Sequence, residues 1–417
     1  MPPDGTLFGI PAEKGRWVMV ILGMIINLCL GSIYSWSVFV KPLTDYFTKE
    51  LGQSVTANDV LMPFSVFLAF FAIAMPLTGK YIDTLGPRKV TIIGGILTGL
   101  GWLLASTVTS VQMLYLVYGV IGGVGVGIAY GVPVAISTRW FPDKKGLAVG
   151  LTVLGFGFSA FLVANLADLL IALYGVMNTF RIFGVAFIVL IILLALPLRF
   201  PAPGWRPAGW TPPAPKPGEE LCECDRRLML RTTTFYGLWA CFFIGCLAGL
   251  MAISIAKPVG TEIGVEAGLA TLLVGFFAIF NGFGRPIFGS LTDRITPRNT
   301  ALVSFILIAL ASIALWIAPI IPVYIVAFAL LWACLGGWLA IAPTATGTYF
   351  GTCDYPRCYG LVFLAYGAGA IAGPLMAGFI KDTTGNYMGV FPYVLVLALL
   401  GFTICWVLMK PPVRRKA

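Results

Sequence analysis

Histidine is absent from all 417 residues. The commonest metal ligand and the usual proton carrier near neutral pH are therefore both missing. Charge is scarce too, at 11% of the chain, and no Gly-x-x-x-x-Gly-Lys-Ser/Thr stretch offers a nucleotide phosphate cradle. An ATP-driven pump is disfavoured, and no cluster of side chains recommends enzymatic catalysis, a metal or a cofactor. Of the nine cysteines, Cys29, Cys241, Cys246, Cys334 and Cys405 fall within apolar runs, and the others fall in segments read below as cytoplasmic. No disulfide is expected in that setting. Cys222-Glu-Cys224 has one residue between its thiols and no second pair nearby, so it does not read as a zinc site.

What the chain has in abundance is apolar sequence, 59% of its residues. Twelve runs are of membrane-spanning length: 17–40, 60–82, 88–107, 112–138, 147–171, 179–198, 234–256, 268–291, 299–318, 322–346, 359–380 and 387–409. They are continuously apolar instead of alternating, so helices are expected and not barrel strands. Residues 1–16 are polar and end in Lys14 and Arg16; the long run that follows reads as a first membrane helix and not a signal peptide. The expected class is an all-α, multi-pass membrane protein in the cell (inner) membrane.

The net charge of +10 could suggest a nucleic-acid partner, but the basic residues are distributed by side. Of 27 Lys and Arg, only Lys41, Lys49, Arg181, Lys257 and Lys381 lie on one side and Arg285 lies within a run; the rest lie on the other. This is the positive-inside pattern, which puts both termini in the cytoplasm. The lipid bilayer, and no nucleic acid, is the expected partner of that asymmetry.

Arg285 stands alone in the run 268–291, within Asn281-Gly-Phe-Gly-Arg285, with no other charge before Asp293. A charged residue at that depth costs roughly 2.5–3.5 kcal/mol on insertion scales unless it faces a protein-lined or watery cavity. A cation in such a cavity suits an anion. Asn281 lies one turn earlier on the same face and could meet a hydroxyl or keto group. The only acid inside a run is Asp168, near the end of the fifth. Tyr34, in Tyr34-Ser-Trp36-Ser-Val-Phe39, is a candidate cavity-lining or gating phenol, with an interfacial aromatic as the alternative.

The chain repeats itself. Gly79-Lys-Tyr-Ile-Asp83-Thr-Leu-Gly86-Pro87-Arg88-Lys89, between runs two and three, returns as Gly289-Ser-Leu-Thr-Asp293-Arg-Ile-Thr-Pro297-Arg298. Lys41-Pro42, placed after run one, returns as Lys257-Pro258 after run seven, and Trp140-Phe-Pro-Asp143-Lys-Lys-Gly146 is echoed from Tyr349-Phe350 to Gly360. Two six-helix repeats are expected, over 1–198 and 234–417. Between them, 199–233 is proline-rich and charged, including Pro212-Pro-Ala-Pro-Lys-Pro217, and reads as a cytoplasmic linker without a core. Glycines crowd runs four, five and eleven, where they permit either close static packing or sliding contacts.

Twelve spans in two halves, with the duplicated Gly-x-x-x-Asp-x-x-Gly-Pro-Arg-Lys loop, resemble the major facilitator superfamily. Tyr34-Ser-Trp-Ser, Arg139-Trp-Phe-Pro-Asp-Lys-Lys-Gly146 and Asn281-Gly-Phe-Gly-Arg-Pro286 are similar to the oxalate/formate antiporters and the monocarboxylate/proton symporters. The resemblance implies one central cavity between the halves, opened alternately to either side, in a monomeric functional unit. It implies that Arg285 contacts a substrate carboxylate. It also aligns Tyr366 with a lysine of the antiporters, and Leu335 and Leu339 with aromatic cage positions, so a second cation is missing and the site is more aliphatic. Leu28, Tyr118, Tyr130, Leu151 and Phe363 are further candidates for its lining. The symporters carry an aspartate where this chain has Asn281, and a span-one lysine with no counterpart here. Asp83, Arg88, Arg139, Asp143, Asp293 and Arg298 match motif positions expected to hold the cytoplasmic helix ends together instead of touching cargo.

One guanidinium balances one carboxylate, whereas a dianion would leave about one charge uncompensated, at a cost of several kcal/mol. The expected function is therefore secondary transport of a small monocarboxylate such as lactate or pyruvate, with the proton as coupling ion. Exchange of organic anions in the antiporter manner is the alternative, and a carboxylate sensor that moves nothing is the alternative from another class.

Overall fold

The computed structural model describes residues 6–211 and 225–412, apart from the side chains of residues 57, 58 and 267. Among the described residues, twelve helices are long and apolar enough to cross a membrane. They are α1 (Ala12–Glu50), α2 (Ala57–Thr84), α3 (Pro87–Ala105), α4 (Val111–Trp140), α5 (Lys145–Tyr174), α6 (Val176–Ala195), α7 (Thr233–Glu262), α8 (Ala267–Ile295), α9 (Pro297–Ile317), α10 (Ile321–Tyr349), α11 (Tyr355–Thr384) and α12 (Val390–Leu408). Each coincides with one apolar run of the sequence. Most run a turn further, because a helix that satisfies its own backbone need not stop where the apolar residues do.

That extension corrects two expectations. Lys41-Pro42 and Lys257-Pro258 do not follow their helices but lie inside α1 and α7. Of the loop between runs two and three, residues 79–84 remain in α2, so only Leu85 and Gly86 connect it to α3. A further element was not anticipated: β1 (Thr6–Leu7) and β2 (Ile10–Pro11) form a small antiparallel hairpin ahead of α1.

Departures from regular helix fall where the sequence weakens it. In α1 the stretch Gly31–Ser35 tightens to a 3₁₀ turn and Tyr46–Glu50 widens to a π turn. In α4 a π stretch covers Tyr115–Gly122. At the junction of α2 and α3, Gly86 has φ +82°, the left-handed region that glycine tolerates, and Pro87 then opens α3 with its preset φ. The equivalent junction in the second repeat is Thr296-Pro297, and Thr296 adopts φ +80° without being glycine. Its hydroxyl accepts a hydrogen bond from the Asn299 N–H at 3.5 Å, a partial compensation for the strain.

The chain divides into two compact units: Met1–Trp140 with Thr152–Trp205, and Phe141–Leu151 with Arg206–Ala417. In the first unit the core is aromatic. Trp36 stacks on Tyr118 with ring centroids 4.1 Å apart, Phe39 stacks on Phe180 at 5.0 Å, and Trp102 meets both Tyr118 and Phe183 edge-on. In the second unit α8 and α10 are pressed together: a Cβ on Gly336 would strike the Asn281 carbonyl and one on Gly284 the Ala333 carbonyl. Small residues at such crossings let backbones touch where lipid supplies no hydrophobic driving force.

The described part of the segment 199–233 makes specific contacts. Trp140 donates from Nε1 to the Arg199 carbonyl at 2.9 Å, Trp205 lies edge-on to Trp140 at 4.8 Å, and the Arg139 guanidinium sits 4.0 Å above the Phe200 ring. A short helix, Arg226–Met229, follows. The proline stretch Pro212–Pro217 and the Cys222-Glu-Cys224 pair lie outside the described residues.

Candidate functional site

Arg285 occupies the interior of α8, ten residues short of its end at Ile295, which is about 15 Å of helix at 1.5 Å per residue. Its side chain has no exposed surface. One turn earlier Asn281 is 4% exposed, and its Oδ1 accepts a hydrogen bond from Arg285 Nη2 at 3.3 Å. The amide nitrogen of Asn281 donates in turn to the Trp332 carbonyl of α10 at 3.3 Å. The guanidinium is thus bonded within its own helix, through an amide that is in turn anchored to α10. The expectation that Asn281 meets a ligand directly is narrowed by this geometry, since both ends of its amide are engaged within the protein.

Gly336, next to Asn281 across the crossing, and Trp332, whose carbonyl anchors the amide, are the supporting residues that sequence reasoning missed. Their chemistry lies in backbone atoms, which no side-chain pattern advertises. Gly150, one of the glycines crowding run five, also reaches this backbone: a Cβ there would meet the carbonyl of Arg285 at 2.5 Å. It brings the start of α5, with the half-buried Leu151, against the backbone of α8.

The other candidates of this unit are buried. Leu335 and Leu339 lie on α10, with Leu335 pressed onto Gly249 of α7. On α11 the rings form a ladder: Tyr355 to Tyr359 at 5.7 Å, Tyr359 to Phe363 at 5.8 Å, and Phe363 stacked on Tyr366 at 5.0 Å. Tyr366 is 1% exposed. The spacing of four and three residues along one helical face produces the ladder.

In the first unit Tyr34 and Tyr130 share a neighbour that the sequence did not single out. Each meets Phe156 edge-on at 5.2 Å, and Phe71 completes the group at 5.2 Å from Tyr130. Leu28 is half-buried, its backbone close to Gly155. Tyr118 belongs to the aromatic core with Trp36 and Trp102 and is not part of this group. A polar cluster was missed here. Asn27, fully buried, donates to the carbonyls of Gly23 at 3.0 Å and Thr152 at 3.2 Å, while Ser137 and Thr152 share a hydroxyl hydrogen bond of 2.6 Å. A lone amide in an apolar run was the available signal.

The motif charges take separate partners. Asp83 pairs with Arg139 at 2.7 Å, joining the ends of α2 and α4. Asp293 accepts the backbone N–H of Gly146 at 2.7 Å and of Leu147 at 2.8 Å, a carboxylate capping the positive end of α5. Beside it Lys145 donates to the Gly347 carbonyl at 2.9 Å. Arg298 donates to the Trp406 carbonyl and lies 4.6 Å above that ring. Arg88 is exposed, Asp143 half-buried, and Asp168 exposed along α5.

Comparison with known proteins gives a consistent picture. A family model described as Major Facilitator Superfamily matches residues 17–346 and again 238–417. The oxalate:formate antiporter of Oxalobacter formigenes is 31% identical over 394 residues, covering 92% of this chain and 89% of the relative. Monocarboxylate transporter 12 of Xenopus laevis is 24% identical over 410 residues, covering 94% and 86%. Among solved structures, the proton:xylose symporter XylE bound to 6-bromo-6-deoxy-D-glucose superposes with a TM-score of 0.74 at 13% identity, over 95% of this chain and 96% of that one. At that identity the likeness concerns the fold alone.

Proposed function

Starting from the fact that this chain belongs to the Major Facilitator Superfamily, we propose that it is a secondary transporter of a small monocarboxylate of the lactate or pyruvate kind, coupled to protons and working by alternating access. The observation that carries the reading is Arg285: a guanidinium with no exposed surface, deep in a membrane helix and oriented by Asn281. A carboxylate meets such a fork with two parallel hydrogen bonds, and one charge on each side leaves no net charge in the low-dielectric interior. A dicarboxylate would bring a second charge, and Tyr366 stands where the antiporters supply a second cation. In the unit that holds Arg285, the neutral or weakly polar residues Leu151, Leu335, Leu339, Phe363 and Tyr366 suit a short hydrocarbon tail.

Asn281 cannot take up a proton and the chain has no histidine, so in this reading neither is the proton carrier, and the substrate carboxylate stays ionised against Arg285. The motif charges Asp83, Arg139, Asp293 and Arg298 serve the helix ends on the cytoplasmic side. The test is uptake of labelled lactate into proteoliposomes under an inward proton gradient, with Arg285→Ala alongside. Uptake that depends on the gradient and is lost in the variant supports the reading; undiminished uptake by Arg285→Ala removes it.

A second reading is favoured by the 31% identity to an oxalate:formate antiporter. Organic-anion exchange would show uptake that requires internal substrate and ignores the proton gradient. The same vesicles, loaded or empty, separate the two.

A further inference from the structure

A cavity of about 510 Å³ lies in the second unit, away from Arg285, lined by Asp225, Arg226, Arg227, Cys353, Asp354 and Arg357. Its described lining has three guanidiniums and two carboxylates. Both carboxylates are already engaged by the protein's own donors. Asp354 receives the backbone N–H of Arg226 at 3.1 Å and Nη1 of Arg357 at 3.2 Å, while Asp225 accepts the N–H of Leu228 at 2.9 Å. Arg226 and Arg227 are exposed at the rim. The cavity therefore presents an excess of about one positive charge with planar forks to direct it, which is the donor set for a phosphate oxygen.

Position narrows the ligand. Tyr355 begins α11, a helix long and apolar enough to cross a membrane, with Asp354 just before it and Arg357 in its first turn; the ends of such helices lie near the lipid headgroups. The volume exceeds what inorganic phosphate needs. The single excess charge matches a phosphodiester better than a phosphate monoester with nearly two. We infer that this arginine-lined cavity binds the phosphodiester headgroup of an anionic membrane phospholipid. The bound headgroup bridges the short helix Arg226–Met229, which precedes α7, and the first turn of α11. Lipid composition thereby bears on how firmly the segment leading into α7 is held.

The experiment uses the full chain in detergent, followed by thermal unfolding, with three probes: short-chain phosphatidylglycerol, phosphatidylcholine of the same chain length, and glycerol 3-phosphate. The protein is compared as wild type, as Arg226→Gln/Arg227→Gln, and as Lys14→Gln/Lys410→Gln, which removes exposed basic residues elsewhere. Arg357 is left in place because it holds Asp354. Phosphatidylglycerol is expected to raise the unfolding midpoint of the wild type and of the lysine variant. Its apparent affinity should fall at least tenfold in the arginine variant. Equal responses in all three proteins, or an equal effect of phosphatidylcholine, overturns the inference. An equal effect of glycerol 3-phosphate that also needs Arg226 and Arg227 makes the ligand a soluble phosphate ester and overturns the lipid assignment.

Discussion

Asn281 stands between Arg285 and the backbone of α10, accepting from the guanidinium with its oxygen and donating to the Trp332 carbonyl with its nitrogen, each at 3.3 Å. The amide therefore fixes the direction of the cation without adding charge. Replacing it with Leu leaves the guanidinium short of a hydrogen bond in a buried setting, a loss of about 1.5–3 kcal/mol. Lactate uptake by Asn281→Leu should show a KM raised roughly tenfold or more, by the rule of about 1.4 kcal/mol per factor of ten. An unchanged KM would mean that Arg285 is oriented by other contacts.

The crossing of α8 and α10 sets the same geometry from the backbone. A methyl on Gly336 cannot fit against the Asn281 carbonyl without moving one helix. Gly336→Ala should lower both thermal stability and substrate affinity, the first by about 1–3 kcal/mol as for overpacked cores. A control glycine with open space around it, Gly275→Ala, should do neither. Measuring unfolding midpoints and ligand-induced shifts for the pair checks both halves of the statement.

Much of the fold was legible because the membrane imposes it. A run of apolar residues must be helical to satisfy its backbone, so the twelve spans followed from hydropathy alone. The burial of Arg285 was legible for the complementary reason, since charge in such a run is costly unless it faces protein or a watery cavity. What the sequence could not disclose were relations made by backbone atoms: the Trp332 carbonyl under Asn281, Gly336 at the crossing, and the N–H groups of Gly146 and Leu147 meeting Asp293. Asn27 was overlooked although it is as isolated in its run as Arg285, because a neutral amide raises no charge alarm. Lys41-Pro42 was misplaced because proline reads as a stop, yet α1 continues through it.

The duplicated α2–α3 and α8–α9 junctions make a clean test of backbone strain. A Cβ on Gly86 would meet nothing within 4 Å, so Gly86→Ala acts only through its φ of +82°. It should destabilise by about 1–3 kcal/mol, the range for residues forced into sparsely populated backbone regions. Thr296 carries that cost already at φ +80°. Thr296→Gly should therefore stabilise, by less than Gly86→Ala destabilises, because the hydrogen bond from Asn299 is lost. Opposite shifts of the unfolding midpoint are expected; shifts of the same sign would refute the strain argument.

Charge matching at Arg285 is tested most directly at Tyr366. In the proposed reading the phenol occupies the place of a second cation, and its absence sets the preference for one carboxylate over two. Tyr366→Lys would offer a second ammonium for a second carboxylate, while costing stability, since Tyr366 is 1% exposed and stacked on Phe363. The quantity to measure is therefore the ratio of oxalate to lactate competition against labelled lactate, which cancels differences in expression and folding. Relief of an uncompensated buried charge amounts to several kcal/mol. The ratio should shift toward oxalate by a factor of ten or more. Arg285→Lys supplies the converse arm: it keeps the charge but loses the planar fork, so uptake should fall for both anions without a change in their ratio. If Tyr366→Lys leaves the ratio where it was, the count of cations does not set selectivity in this protein.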